Sequence, residues 1–230
     1  GSHGVDTSDD SILPTAYEEP SHGGGTASLG ITGSSNAFGY KNSFMGLNLN
    51  LEYNPDKSGI DNADGATGGA KLAAASDKGH SLNYVLSYSP SDGLTVGAGR
   101  AVTDGQASSA GSVDAREDIA YIKYVTGPIS VGYFINEQQD NTVGANGLST
   151  DGYSIAFAVN DNLSISYAER ELEQDDGGAG TKTVESNQGI MASYTMGGAS
   201  LRVAHNEHDN VANVVGTNTE STEISLVLAF

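Results

Sequence analysis

The chain has 230 residues, with 29 acidic against 10 basic side chains and a formal net charge of −19. That surface repels phosphate backbones and argues against a nucleic-acid partner, and the absence of Cys removes disulfides and thiolate metal sites without fixing the compartment. No apolar run approaches the roughly 20 residues of a spanning helix, but a spanning strand needs only about 9 to 11 and hides its apolar half by alternation. Alternation is therefore the pattern to follow along the chain.

The start, Gly1-Ser2-His3, lacks the Met, basic stretch and apolar core of a secretory leader. A leader is expected to have been removed or to lie outside this sequence. Taken alone, these three residues also read as a tag scar. Residues 1–25 do not alternate and carry the carboxylates Asp6, Asp9, Asp10, Glu18 and Glu19. Leu29 and Ile31 mark a weak strand over 27–34, and Leu47, Leu49, Leu51 and Tyr53 then share one face against Asn48, Asn50 and Glu52. The same period recurs in Leu82 to Tyr88, Leu94 to Ala98, Ala120 to Tyr124, Ile129 to Ile135 and Tyr153 to Val159. It continues through Leu163 to Tyr167, Ile190 to Met196, Ala199 to Val203 and Ile224 to Phe230, eleven strands in all. The one helical stripe is the short Ala-rich piece Ala70–Ala75, inside a loop.

Between the apolar positions stand mainly Ser, Gly, Ala, Asn, Thr and Glu. These are too small or too polar to fill the second half of a sandwich core, and they suit a wet lumen. The connections alternate in length. Short ones fall at Ser89–Gly93, Thr126–Pro128, Asn160–Asp161 and Gly197–Gly198; long ones run over about 56–80, 103–117, 139–151, 172–186 and 207–220. Placing every long loop at one end is the habit of outer-membrane barrels, with tight periplasmic turns and long extracellular loops. The expected fold is all-β: a transmembrane antiparallel up-and-down β-barrel, in one domain, with strands over 26–230. On this pattern the last strand descends to the periplasm, and so does 27–34. Complete barrels have even strand numbers, so at least one ascending strand is expected upstream and residues 1–25 belong to an extracellular loop.

With the terminal Glu223-Ile-Ser-Leu-Val-Leu-Ala-Phe230, the hairpin rhythm and the opening Gly4-Val5-Asp6-Thr7-Ser8-Asp9-Asp10-Ser11, the chain resembles the general diffusion porins of Gram-negative bacteria, most closely those of alphaproteobacterial type. The resemblance spans essentially the whole chain. It implies a barrel of sixteen strands of which about eleven are present here, a homotrimer in the outer membrane among lipid and lipopolysaccharide, and an N-terminally truncated domain whose residues 1–25 are the constriction loop. Gly1-Ser2-His3-Gly4 is then the native end of an earlier strand. It also implies that Phe230, with Leu228, Leu226 and Ile224 at alternate positions, is the strand signal read during assembly. The chain departs from the family in having no Trp, which leaves the interfacial girdle to its 11 Tyr and 5 Phe.

For the pore, the resemblance implies opposed charges across a constriction. Asp6, Asp9, Asp10, Glu18 and Glu19, if folded inward, favour cations over anions; the plainer reading is a solvated loop. Parity turns Lys123, Arg170 and Arg202 inward to face them, although a lumen-facing base also serves simply as a partner for a nearby carboxylate. Tyr121 shares the face of Lys123, where it either narrows the lumen or packs against the loop. Arg100 has the parity of Leu94 and Val96 and belongs at the outer rim. His205 and His208, three apart on a strand, face opposite ways and cannot share a metal. Asp61-Asn62-Ala63-Asp64-Gly65 lacks EF-hand spacing, so the one metal expectation is adventitious Ca²⁺ at acidic loops, and no cofactor is expected. No Gly-x-Ser-x-Gly occurs and the five His are scattered, which points away from an enzyme. The expected function is passive diffusion of small hydrophilic solutes and ions through a water-filled channel. The competing reading is a receptor, adhesin or substrate-specific transporter acting through its outer loops.

Overall fold

Successive side chains of a strand leave opposite faces, so each alternating run commits one face to apolar and the other to polar residues before any strand has paired. The computed structural model describes residues 12–21, 37–55, 80–103, 114–139, 147–174 and 183–229. Within them lie eleven strands: β1 (Phe38–Phe44), β2 (Leu47–Asn54), β3 (Ser81–Ser91), β4 (Leu94–Thr103), β5 (Ala115–Thr126), β6 (Ile129–Gln139), β7 (Leu148–Ala158), β8 (Leu163–Gln174), β9 (Val184–Met196), β10 (Ala199–Asp209) and β11 (Thr219–Leu228). They form one all-β sheet in sequence order, every strand antiparallel to the next. The sheet is unclosed: β1 and β11 are its edges, and no ladder joins them among the described residues.

The count matches the sequence pattern, but the first strand does not. Residues 27–34 lie outside the described residues, and the strand that pairs with β2 is Phe38–Phe44. Phe38, Tyr40 and Phe44 do alternate, but Asn42 takes the apolar turn of the pattern and obscures it. The turn that follows, Met45–Gly46, has both residues in the left-handed region, at φ 49° and 79°. Such primed turns match the twist of the strands they join.

The other tight turns lie at the same end of the sheet. Gly93, at φ +77°, lies so close to the Val125 carbonyl that a Cβ there would collide with it, which makes this turn specific for glycine. Between β7 and β8 the Asn160 side-chain oxygen accepts from the backbone N–H groups of Asn162 and Leu163, at 2.9 and 3.0 Å, and so closes an Asx-type turn. The opposite end carries the longer connections, but the strands reach further into them than the sequence suggests: β5 begins at Ala115, β7 at Leu148 and β11 at Thr219, while β8 runs to Gln174 and β10 to Asp209. Backbone pairing continues there although both faces have become polar.

The two faces differ sharply. Along β3 burial alternates residue by residue, with Ser81, Asn83 and Val85 buried and Leu82, Tyr84 and Leu86 exposed. The covered face collects the buried positions of every strand from β3 to β10. The open face presents apolar side chains across the whole width, among them Leu86, Ile122, Tyr133, Ile155, Ile190 and Leu226, and none of these packs against another layer of the described chain. Nearer the long loops the open face turns polar. There Arg100 holds Asp118 side-on at 2.5 and 3.1 Å, Arg116 reaches the same carboxylate at 2.9 Å, and Tyr153 and Tyr167 both donate to Glu169 at 2.5 and 2.9 Å. Arg100 thus stands on the open face, as its parity requires.

Candidate functional site

What covers the covered face includes the described part of residues 1–25. Residues 12–21 form a strap that lies across the sheet and is seated by two different chemistries. At its first end Ile12 is buried among Val85, Ala101, Ala115, Ile119 and Phe134, with Leu13 and Tyr121 packed against the cluster. Full burial of one such side chain contributes about 1.5–3 kcal/mol. The seat exists because β6 offers bare backbone: a Cβ at Gly132 would collide with the Ile12 carbonyl oxygen and lie 2.7 Å from Pro14 Cδ. Glycine is used the same way under two rings. Tyr121 lies against Gly97, and Phe134 lies against Gly152, where an added Cβ would be 2.7 Å from its Cε1. Tyr121 therefore packs on the wall and on the strap's apolar end.

The second end is held by polar contacts. The Ala16 N–H donates to Ser166 Oγ at 2.8 Å, while Ala16 and Tyr17 pack over Ala168, Met191 and Ala204. The Tyr17 hydroxyl donates to the Glu223 carboxylate on β11, and the Arg202 guanidinium lies over the Tyr17 ring, 5.7 Å from its centroid. That hydrogen bond, above all, holds the Tyr17 phenol protonated beyond its ordinary range. Asn206 Nδ2 donates to the Glu19 carbonyl at 3.3 Å, and Arg170 Nη1 lies 3.3 Å from Ser21 Oγ and 3.8 Å from Glu19 Oε2.

The basic residues singled out from the sequence share this face. Arg170 meets the carboxylate of Glu19, whereas Arg202 lies over the Tyr17 ring. Lys123 is half-buried on β5, directly opposite Gly132 in the ladder and so beside the strap's apolar end. Glu18 is half-buried within the strap; Asp6, Asp9 and Asp10 lie outside the described residues. Leu226 and Leu228 stand exposed on β11, with Phe230 outside the described residues. The two histidines separate as parity demands: His205 meets Thr222 on the open face at 2.8 Å, and His208 is buried on the other with Nδ1 2.8 Å from Asn187 Oδ1. Asp61–Gly65 falls outside the described residues, and no cluster of three metal-binding side chains occurs among those described.

Sequence reasoning missed the buried polar rows on the covered face near the long loops. Glu117 accepts from Asn136 at 2.7 Å and from Gln138 at 3.3 Å, and Glu185 accepts from Asn187 at 2.9 Å and from the Ala212 N–H at 2.7 Å. Carboxylates this buried require such donors. The signal was present in the amides that share their parity. It also missed Tyr17 and Glu223 as partners, because nothing local connects residues 206 apart in sequence. Comparison with protein-family models and with curated proteins finds no match to the chain.

Proposed function

We propose that this chain forms the wall and internal strap of a bacterial outer-membrane channel through which small hydrophilic solutes and ions diffuse passively. The observation that carries the reading is the strap, seated across the polar face of a sheet whose other face presents its apolar side chains outward. Contiguous exposed apolar area of this extent is costly in water, and hydrocarbon is the solvent that suits it. Unpaired strand edges are not tolerated in lipid, so β1 and β11 are paired in the membrane by further strands, which completes a barrel.

The tight turns then face the periplasm and the long connections face outward. The polar rim around Arg100, Asp118 and Glu169 lies at the level of lipid and lipopolysaccharide headgroups, and three barrels associate as a homotrimer. The strap narrows the lumen and sets the size limit, while its carboxylates and those of residues 1–11 bias passage toward cations. No chemical step is involved. The test is conductance of the protein, extracted from its native membrane, in planar bilayers under a KCl gradient. Stepwise insertion of open channels with a potassium-favouring reversal potential is expected; bilayers that stay silent at all protein loads would overturn the channel, and a chloride-favouring potential would overturn the selectivity.

A further inference from the structure

The charged side chains of the covered face are sorted along the strands. Lys41 on β1, Lys123 on β5 and Arg202 on β10 each stand four residues from a tight turn, at Met45–Gly46, Gly127–Pro128 and Gly197–Gly198. Lys41 belongs to this face because it lies opposite Asn50, which lies opposite the buried Val85. The carboxylates begin further up. Glu52 on β2 stands six residues beyond its turn, and Glu223 lies opposite Ala204, which is six beyond its own. Glu117 and Glu185 stand ten and twelve residues from the turns that serve Lys123 and Arg202, near the long loops. Among the described residues, no carboxylate on the strands of this face is nearer the tight turns than the three bases.

Spacing decides whether these charges cancel. Lys123 and Glu117 share β5 and one face, six residues apart, so about 20 Å of strand separates them at roughly 3.3 Å per residue. The Debye length is about 10 Å at 0.1 M salt, so the two zones act on mobile ions separately. Between them Arg170 has the strap's Glu19 at 3.8 Å, and Glu18, next in sequence, tips this level to the acidic side. Glu117 and Glu185 are held to the wall by hydrogen bonds from Asn136 and Asn187, and Glu223 by one from Tyr17. Asp92 and Asp161, at the tight turns themselves, are exposed, and water and salt screen them there.

We infer that the lumen is a charge junction, acidic toward the long loops and basic toward the tight turns, and that it rectifies the flow of ions. This deepens the channel reading and rests on it. Cations enter readily through the acidic zone and anions through the basic one. A positive potential on the long-loop side drives each ion in through the zone that favours it, so both accumulate where the zones meet and the current is large. The opposite potential draws both away from the junction and depletes it. A lumen acidic throughout would prefer cations equally at either polarity; the three bases add the direction.

Single channels of the full chain, extracted from its native membrane, are recorded in planar bilayers with the same KCl solution on both sides. The chain has no Cys, so Ser91→Cys, beside a tight turn, is biotinylated and streptavidin marks the compartment it faces. At about 0.1 M KCl the current with the long-loop side positive is expected to exceed that at the opposite voltage about twofold, and the ratio to fall toward one at about 1 M, where both zones are screened. Lys41→Gln combined with Lys123→Gln lowers the ratio toward one at the lower salt; Arg202 is left in place because it lies over the Tyr17 ring. Where that variant yields no channels, Glu117→Gln decides, for it lowers the ratio from the other end. Equal currents at both polarities in open wild-type channels, a larger current in the opposite sense, or a ratio that these substitutions leave unchanged overturns the junction and spares the channel. Bilayers that stay silent overturn the channel reading and the junction with it.

Discussion

The two faces of this sheet are built from the same strands, one residue out of step, and they answer to different solvents. On the covered face, charge is tolerated where a partner meets it: Glu117 has its amides and Arg202 its ring. On the open face, the central positions of the described strands carry apolar side chains and tyrosines, and charge appears only near the long loops. The difference teaches that the apolar surface is no failed core. It is continuous, it keeps register across the ladders apart from one shift between Tyr88 and Ser91 where β3 meets β4, and the second layer that a water-soluble sheet would require is absent from the described chain.

The most forceful way to break this comparison is to move a charge across it. Ile122→Arg, at the middle of the open face, is expected to cost about 2–4 kcal/mol in lipid, whereas Ser164→Arg on the covered face is expected to change stability little. Urea unfolding in vesicles, followed by far-UV circular dichroism because the chain has no Trp, reads both. Equal costs would mean that the faces do not meet different solvents. Next in size is Gly132→Val, which collides with the Ile12 carbonyl and Pro14. A loss of about 1–3 kcal/mol is expected, as for other overpacked sites, together with a larger and noisier single-channel conductance as the strap is pushed off its seat.

Much of this contrast could be read before the structure. The facing of every strand from β2 to β11, and with it the placement of Lys123, Arg170, Arg202 and Arg100, follows from alternation alone. Strand ends were less legible, because near the long loops both faces are polar and the pattern loses its amplitude while backbone pairing persists. Phe38–Phe44 escaped through a single residue, Asn42. The strap's seat was hidden for another reason: glycines at positions 97, 132 and 152 read as weak strand residues until the group occupying each vacancy is known, and those groups are far away in sequence or on a neighbouring strand.

Smaller changes sharpen the comparison within the covered face. Tyr17→Phe removes the bond to Glu223 and keeps the ring under Arg202, so a small loss of stability is expected. A cycle with Glu223→Gln should show that the two substitutions are not additive. Because the phenol is held protonated, this contact is present below the ordinary tyrosine range and is lost only as pH rises through a higher, folded-state value. Tyrosinate absorbance of wild type against Tyr17→Phe checks that delay, and identical titrations would dismiss it. The smallest effect belongs to the exposed rim: Arg100→Ala should leave stability almost unchanged despite the side-on geometry, since both partners are solvent-accessible. A larger loss would place that rim in a drier environment than proposed.

The bond between Tyr17 and Glu223 has a consequence for the order of events during folding. Every strand pairs with its neighbour in sequence, so the sheet can grow by closing short loops one after another. The strap is the exception, for the separations of its contacts run to 149, 150 and 206 residues. Tyr17 meets its carboxylate in this seat only where β11 has docked on β10. The Tyr17 contact thus reports the docking of β11, the far edge of the described sheet, and a chain stalled short of β11 would hold this end only through Ser166, Arg170 and Asn206.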